Sequence, residues 1–169
     1  MADKYLRQNA GVITETEATV TSAGAGNAGE IVALDGTGRI DESCMPVGIG
    51  ADTAQIEASE ALSAGDFVNV YDNAGTANVR KADGSAAGKP ADGFVLAAVS
   101  SGANATVYFE GTNTQCSGLT PGQQFLSGTA AGAAVNTAPT GAGKVCQKIG
   151  VAISATAINF ERGEPIVLA

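Results

Sequence analysis

Apolar positions in this chain fall in short runs separated by Gly, Asn, Asp and Ser, and inside the runs they tend to alternate with polar ones. That spacing predicts short β-strands and turns. "VITETEATV" puts Val12, Thr14, Thr16, Ala18 and Val20 on one side of an extended segment, with little bulk on either side. Residues 1–28 therefore read as an extended N-terminal arm, ending in the flexible "AGAGNAG". Such a segment cannot build its own core and must lie against another surface or stay mobile. Residues 29–60 read as a linker region of short strands. Ile31–Leu34 is a buried-type strand, "DGTG" is turn chemistry, and Val47–Ile49 is a second apolar run after the helix-opposing Pro46. "TAQIEAS" has helix-favouring residue types, yet Ala54, Ile56 and Ala58 alternate strictly with Thr53, Gln55, Glu57 and Ser59. Period 2 outweighs propensity here and predicts a half-buried strand.

From residue 61 onward the pattern repeats. "LSAGDFVNV" at 62–70 is echoed by "LTPGQQFLS" at 119–127, a shift of 57 residues. At that shift Leu62, Gly65, Ala74, Gly75, Ala77, Gly84 and Gly93 face identical residues, namely Leu119, Gly122, Ala131, Gly132, Ala134, Gly141 and Gly150. About three such matches would arise by chance in a chain this rich in Gly and Ala. The order of parts agrees as well: a strand, a Gly turn, a polar loop, a buried strand ("FVLAAV" or "IGVAI"), then a strand ending in Phe. Beyond Gly93 the copies align only with gaps. Two similar β-units, each too small to stand alone, are expected to share one core. Val68, Val70, Phe94, Val95, Leu96, Val99, Val107, Phe109, Phe125, Leu126, Val151, Ile153, Ile158 and Phe160 are the candidates for it. The expected fold is all-β, a small sandwich or barrel built from two duplicated β-units over 61–169, with the N-terminal arm added.

Composition sharpens this picture. Charged residues are only 15% of the chain, low for a globular domain, and the net charge is −8. Nucleic acid is not expected as a partner, since phosphate binding needs clustered Lys and Arg, and the nine basic residues are scattered. No apolar run approaches the roughly 20 residues of a membrane-spanning helix, so no membrane partner is expected. The start of the chain has no apolar core of a signal peptide, which leads us to expect synthesis in a cytoplasm. Cys44, Cys116 and Cys146 are odd in number and widely spaced, and read as buried reduced thiols; pairing between subunits is the alternative.

Candidate chemistry is sparse. There is no histidine, which removes the usual general base and metal ligand along with any Ser-His-Asp or Cys-His site. "TGAGKV" fails as a phosphate loop, because Ala138 stands where its first Gly belongs and Val145 where Ser or Thr belongs. Asp35, Asp41 and Glu42 could face a cation, but their spacing is loose and includes Arg39, so a solvated turn is expected. Asp66, Asp72, Asp83 and Asp92 read as turn residues, and no tryptophan platform accompanies them for sugar chemistry. The "NAT" sequon at Asn104 carries no weight without a secretion signal. No enzyme activity, cofactor or metal is expected.

"AGEIVALDGTGRIDESCMPVGIG" resembles a phrase found in tailed-bacteriophage virion proteins, G-x-I-V-x-L-D-x-x-G-x-I-D-x-S-x-M-P, which precedes a β-domain. "ALSAGDFVNVYDNAG", "ADGFVLAAVSSGANATVYFEG" and the ending "QKIGVAISATAINFERGEPIVLA" are similar to the capsid decoration, or cement, proteins of such phages. The resemblance spans about residues 28–169 and rests on Gly and apolar positions. It implies a small β-rich virion protein, made in the bacterial host cytoplasm, that binds the outside of an expanded capsid as a homotrimer. Its partners would be the major capsid protein and itself. It would add contacts between capsomers at local threefold positions against internal DNA pressure. Related phrases in tail fibres imply the alternative, a trimeric fibre or receptor-binding module. Under the capsid reading the arm is the expected anchor, through Tyr5, Leu6, Arg7, Val12 and Ile13, since Tyr and Arg are common interface anchors. Met45 and Pro46 are a second candidate contact.

Overall fold

The computed structural model describes residues 3–45 and 50–169. The chain divides into two compact units, Met1–Gly50 and Ala51–Ala169. Pro46 and the expected apolar run Val47–Ile49 lie outside the described residues.

In the first unit the arm doubles back. Strands β1 (Lys4–Asn9) and β2 (Val12–Glu17) pair antiparallel from Lys4↔Glu17 to Asn9↔Val12. Ala10 and Gly11 connect them, both at positive φ (49° and 88°). This two-residue turn matches the right-handed strand twist, and it converts an expected single extended segment into a hairpin. "AGAGNAG" is also more ordered than its composition implies. Gly24–Asn27 makes one 3-10 turn, closed by Ala23 N–H donating to Asn27 Oδ1 at 2.6 Å. Ile31–Leu34 was expected as a buried strand and is neither buried nor a full strand. Only Val32 bridges, in parallel with Thr19, while Ile31 and Leu34 stay more than half exposed.

The second unit begins with β3 (Thr53–Ala58), β4 (Phe67–Asn73), β5 (Thr76–Lys81), β6 (Gly93–Val95) and β7 (Asn104–Tyr108). These form a closed barrel in the order β3-β5-β4-β6-β7. The "TAQIEA" stretch is β3, as its alternation predicts; Ile56 and Ala58 point inward. It closes the barrel by pairing antiparallel to β7 and parallel to β5 through Glu57↔Asn78 and Ala58↔Val79. Then come β8 (Gly111–Asn113), β9 (Gly122–Leu126), β10 (Ala134–Val135), β11 (Val145–Cys146), β12 (Lys148–Ser154), β13 (Ala157–Phe160) and β14 (Ile166–Val167). Five of them make a second sheet in the order β10-β9-β12-β13-β8, and β11 pairs with β14.

The repeat is visible in this topology. Read from β5, the barrel runs β5-β4-β6-β7-β3, and the second sheet runs β10-β9-β12-β13-β8 in the same sense. Every matched neighbour pair is antiparallel in both. Leu62 bonds Val99 ahead of β4, and Leu119 N–H reaches Ala155 O ahead of β9. Gly93 and Gly150 repay the requirement that put glycine at both places. A Cβ on Gly93 would sit 2.5 Å from Tyr108 O, and one on Gly150 would strike Asn159 O. The copies differ at their seam. Among the described residues β8 and β10 do not pair; a segment of the first copy stands between them. Asn113 Nδ2 donates to Gly65 O at 2.9 Å, and Phe67 N–H donates to Gly132 O at 2.9 Å. Gly65, at φ 90°, is required there because any Cβ would run into the Gln115 carbonyl.

Two cores result. One fills the barrel: Ile56, Ala58, Leu62, Val68, Val79, Val95, Ala105 and Val107. The other lies between the barrel's outer face and the second sheet, where Phe67, Ala82, Ala91 and Phe94 meet Leu126, Ile149, Ala152, Ile158 and Phe160. Phe94 stacks on Tyr108 at 5.4 Å and meets Phe160 edge-on at 5.6 Å. Buried Gln147 pins the two copies together: its Oε1 accepts from Ala91 N–H at 2.7 Å, and its Nε2 donates to Ala91 O and Gly163 O. Three expected core residues fall elsewhere: Phe125 is half-buried and belongs to neither core, and Val151 and Ile153 lie on the open face. Val151 and Ile153 are 41% and 62% exposed. The second sheet is covered on one face only, so β12 alternates: Ala152 turns in and its neighbours turn out.

Phe94 and Val151 occupy matching positions, each paired with the adjacent strand one residue past the conserved-in-place Gly93 or Gly150. Phe94→Ala is expected to cost about 3–5 kcal/mol, as a large side chain removed from a packed core. Val151→Ala should cost less than about 1 kcal/mol. Urea unfolding midpoints of the two variants check this; equal losses would contradict the one-sided sheet.

Candidate functional site

The carboxylates that could have met a cation are occupied by their own loops. Asp35 Oδ1 accepts from Thr37 N–H (2.8 Å), Thr37 Oγ1 (2.7 Å) and Arg39 N–H (2.9 Å). Asp41 Oδ1 accepts from Ser43 N–H and its hydroxyl. Among the described residues no group of three or more Cys, Asp or Glu converges as a metal site would. Asp72 and Asp83 accept from Gly75 and Ser85 N–H within their turns. Asp66 and Asp92 reach further than turn residues need to. Asp66 caps Ser63 N–H and pairs with Lys81 at 3.2 Å. Asp92 accepts from Asn69 and Val70 N–H and pairs with Arg162 at 3.1 Å, bracing the barrel against the C-terminal segment. All three cysteines are free and half-buried. Burial pushes the Cys116 thiol up to about 11, which keeps it protonated and unreactive. No described helix is long and apolar enough to cross a membrane.

What remains is surface, and the first unit supplies it. Among residues 3–45 none is buried. Yet Leu6, Val12, Ile13, Val20, Ile31, Val32, Leu34, Ile40 and Met45 are each 38–74% exposed. Most globular segments this size hide such side chains, at a gain of about 1.5–3 kcal/mol for each one fully covered. The hairpin divides the five expected anchors between its faces. Tyr5 and Arg7 point to one side and are half-buried, with the Arg7 guanidinium lying over Gly29 and helping to hold Glu30 ionised. Val12 shares that side but sits at the hairpin tip, 61% exposed. Leu6 and Ile13 lie on the opposite face, 74% and 71% exposed, beside the Lys4–Glu15 pair at 2.5 Å. Leu6 and Ile13 are therefore the free pair, and Tyr5 and Arg7 serve the unit itself. Ile31, Val32 and Leu34, expected as a buried strand, add exposed apolar area, and so does Ile40.

Hydrogen bonds hold the unit where packing does not, and they set its acid response. Arg39 N–H and then the Thr37 hydroxyl hold Asp35 below its ordinary 3.8. The Ser43 hydroxyl does the same for Asp41, and the hydroxyl of Thr19, followed by the Asn27 amide, lowers Glu30 from 4.5. A depressed folded value contributes stability above the unfolded pKa and loses it as pH falls through the folded one. The first unit should hold its loops above about pH 5 and loosen below about pH 4. Carboxyl titration by NMR checks the sign: midpoints of Asp35 and Asp41 at or above 3.8 would contradict it.

Compared with known proteins, the chain matches no family model, no curated protein and no solved structure.

Proposed function

We propose that this chain is a structural virion protein that binds the outside of a tailed-phage capsid as a trimer and stabilises the expanded shell. One observation carries the reading. A β-unit with two packed cores is joined to a first unit that buries none of its described side chains and exposes nine large apolar ones. A segment of that composition is stabilised by contact with a partner, and the partner proposed is the major capsid protein. The β1-β2 ribbon suits this role in two ways. Both of its outer edges are free of a third strand among the described residues, so a partner strand can add main-chain hydrogen bonds. Its Leu6–Ile13 face offers two exposed apolar side chains, and the Glu15 carboxylate beside them is already paired with Lys4.

The mechanism is mechanical. Each copy buries a modest interface across a seam between capsomers, and symmetry multiplies it. Binding the expanded shell and not its precursor shifts the shell toward expansion by linkage. The turn carboxylates and half-buried thiols then have structural duties only.

Co-sedimentation with expanded, undecorated capsids tests the reading. The wild-type protein should saturate near three copies per local threefold position, and Leu6→Asp with Ile13→Asp should weaken binding by about 100-fold. Melting of the double variant should be unchanged, since both side chains are exposed. Saturable binding that survives both substitutions would move the contact away from the hairpin. No binding by the wild-type protein would overturn the capsid reading and leave the fibre module to be tested on host cells.

A further inference from the structure

We infer that copies of this chain meet through the outer face of the second sheet. The chain holds nine Lys and Arg and seventeen Asp and Glu, yet none lies between Gly111 and Gly143 or between Ile149 and Phe160. These stretches contain β8, β9, β10, β13 and all of β12 but Lys148. The second sheet is thus nearly free of charge in a chain with a net charge of −8. Pairing sets one row across four of its strands: Thr112, Asn159, Val151 and Gln123. Ile153 stands one step along β12 on the same face, 62% exposed.

Depletion of charge distinguishes the centre of an interface from ordinary surface, which carries interspersed charges of both signs. It also selects the occupant. A basic partner would be met by carboxylates, and the one at this face's corner, Glu161, is already paired with Lys148 at 3.0 Å. A second copy brings the same negative charge and can approach closely only where neither molecule presents it. Amide and hydroxyl side chains on the face can pair with their own counterparts, and Val151 and Ile153 supply the apolar centre. The matching face of the first copy is already an interface: Phe67, Phe94 and Tyr108 pack against the second sheet there. The inference locates the trimer of the proposed function and rests on that reading only for the number of copies.

Sedimentation equilibrium of the full chain without capsids tests it. The wild-type protein should run as an oligomer of the 16.6 kDa chain at micromolar concentration. Ile153→Asp should raise the dissociation constant about 30-fold or more, with an unchanged melting curve at dilutions where both proteins are monomeric. Leu6→Asp, on the other unit, should leave the oligomer intact. A wild-type monomer would overturn the inference. So would an oligomer that survives Ile153→Asp combined with Val151→Asp, or one broken by Leu6→Asp instead. Capsid binding is a separate readout, so either reading can fail while the other stands.

Discussion

The second unit depends on one contact: the barrel's outer aromatic face against the inner face of the second sheet. Phe94 sits at its centre, touching Tyr108 on its own barrel and Phe160 across the junction. A barrel of five short strands can fill its interior with Val, Ile, Leu and Ala, and this one does. Its exterior would then leave Phe67 and Phe94 in water. The second sheet solves the converse problem, having one apolar face and nothing of its own to set against it. Both parts follow one pattern, and on the first copy the outer face carries the aromatic side chains Phe67, Phe94 and Tyr108, while Phe160 meets them from the inner face of the second sheet. Edge-on ring contacts add to the burial and fix orientation. Gln147 fixes it further, since Ala91 N–H and two carbonyls have no other described partner for its amide to replace.

The first unit is built on the opposite principle. Its order comes from short hydrogen bonds between side chains and nearby backbone: Asp35 and Asp41 in their turns, Asn27 over Ala23, Thr19 on Glu30. Such bonds are individually modest in water, about 0.5–1.5 kcal/mol each, and compete with solvent at every position. Conformation is specified, but little apolar surface is removed. That combination suits a contact surface, whose shape must exist before the partner arrives.

Much of this was legible in the residues. Period 2 in "TAQIEA" identified β3 against its helical propensity, and the glycine register revealed the duplication before any pairing was known. Gly93 and Gly150 carry that signal because backbone from the next strand passes where a side chain would be. Other features were hidden for identifiable reasons. "IGVAI" and "FVLAAV" look alike as apolar runs, and only the tertiary arrangement decides that one is covered on both faces and the other on one. The Ala10-Gly11 turn was missed because alanine seldom takes positive φ. Without the hairpin, the five anchor candidates looked like one continuous strip, and their division between faces could not be read. The seam at Gly65 had no local signature at all, since its cause is the Gln115 carbonyl fifty residues on.

That seam gives the two copies a direction in time. The barrel's ladder is completed by residues 53–108, all from one contiguous stretch. The second sheet needs Gly65 and Phe67 already in place, to receive Asn113 and Gly132. A chain leaving the ribosome N-terminus first presents the finished template before the strands that must close around it. The part of the chain made first thereby serves the part made later as a mould.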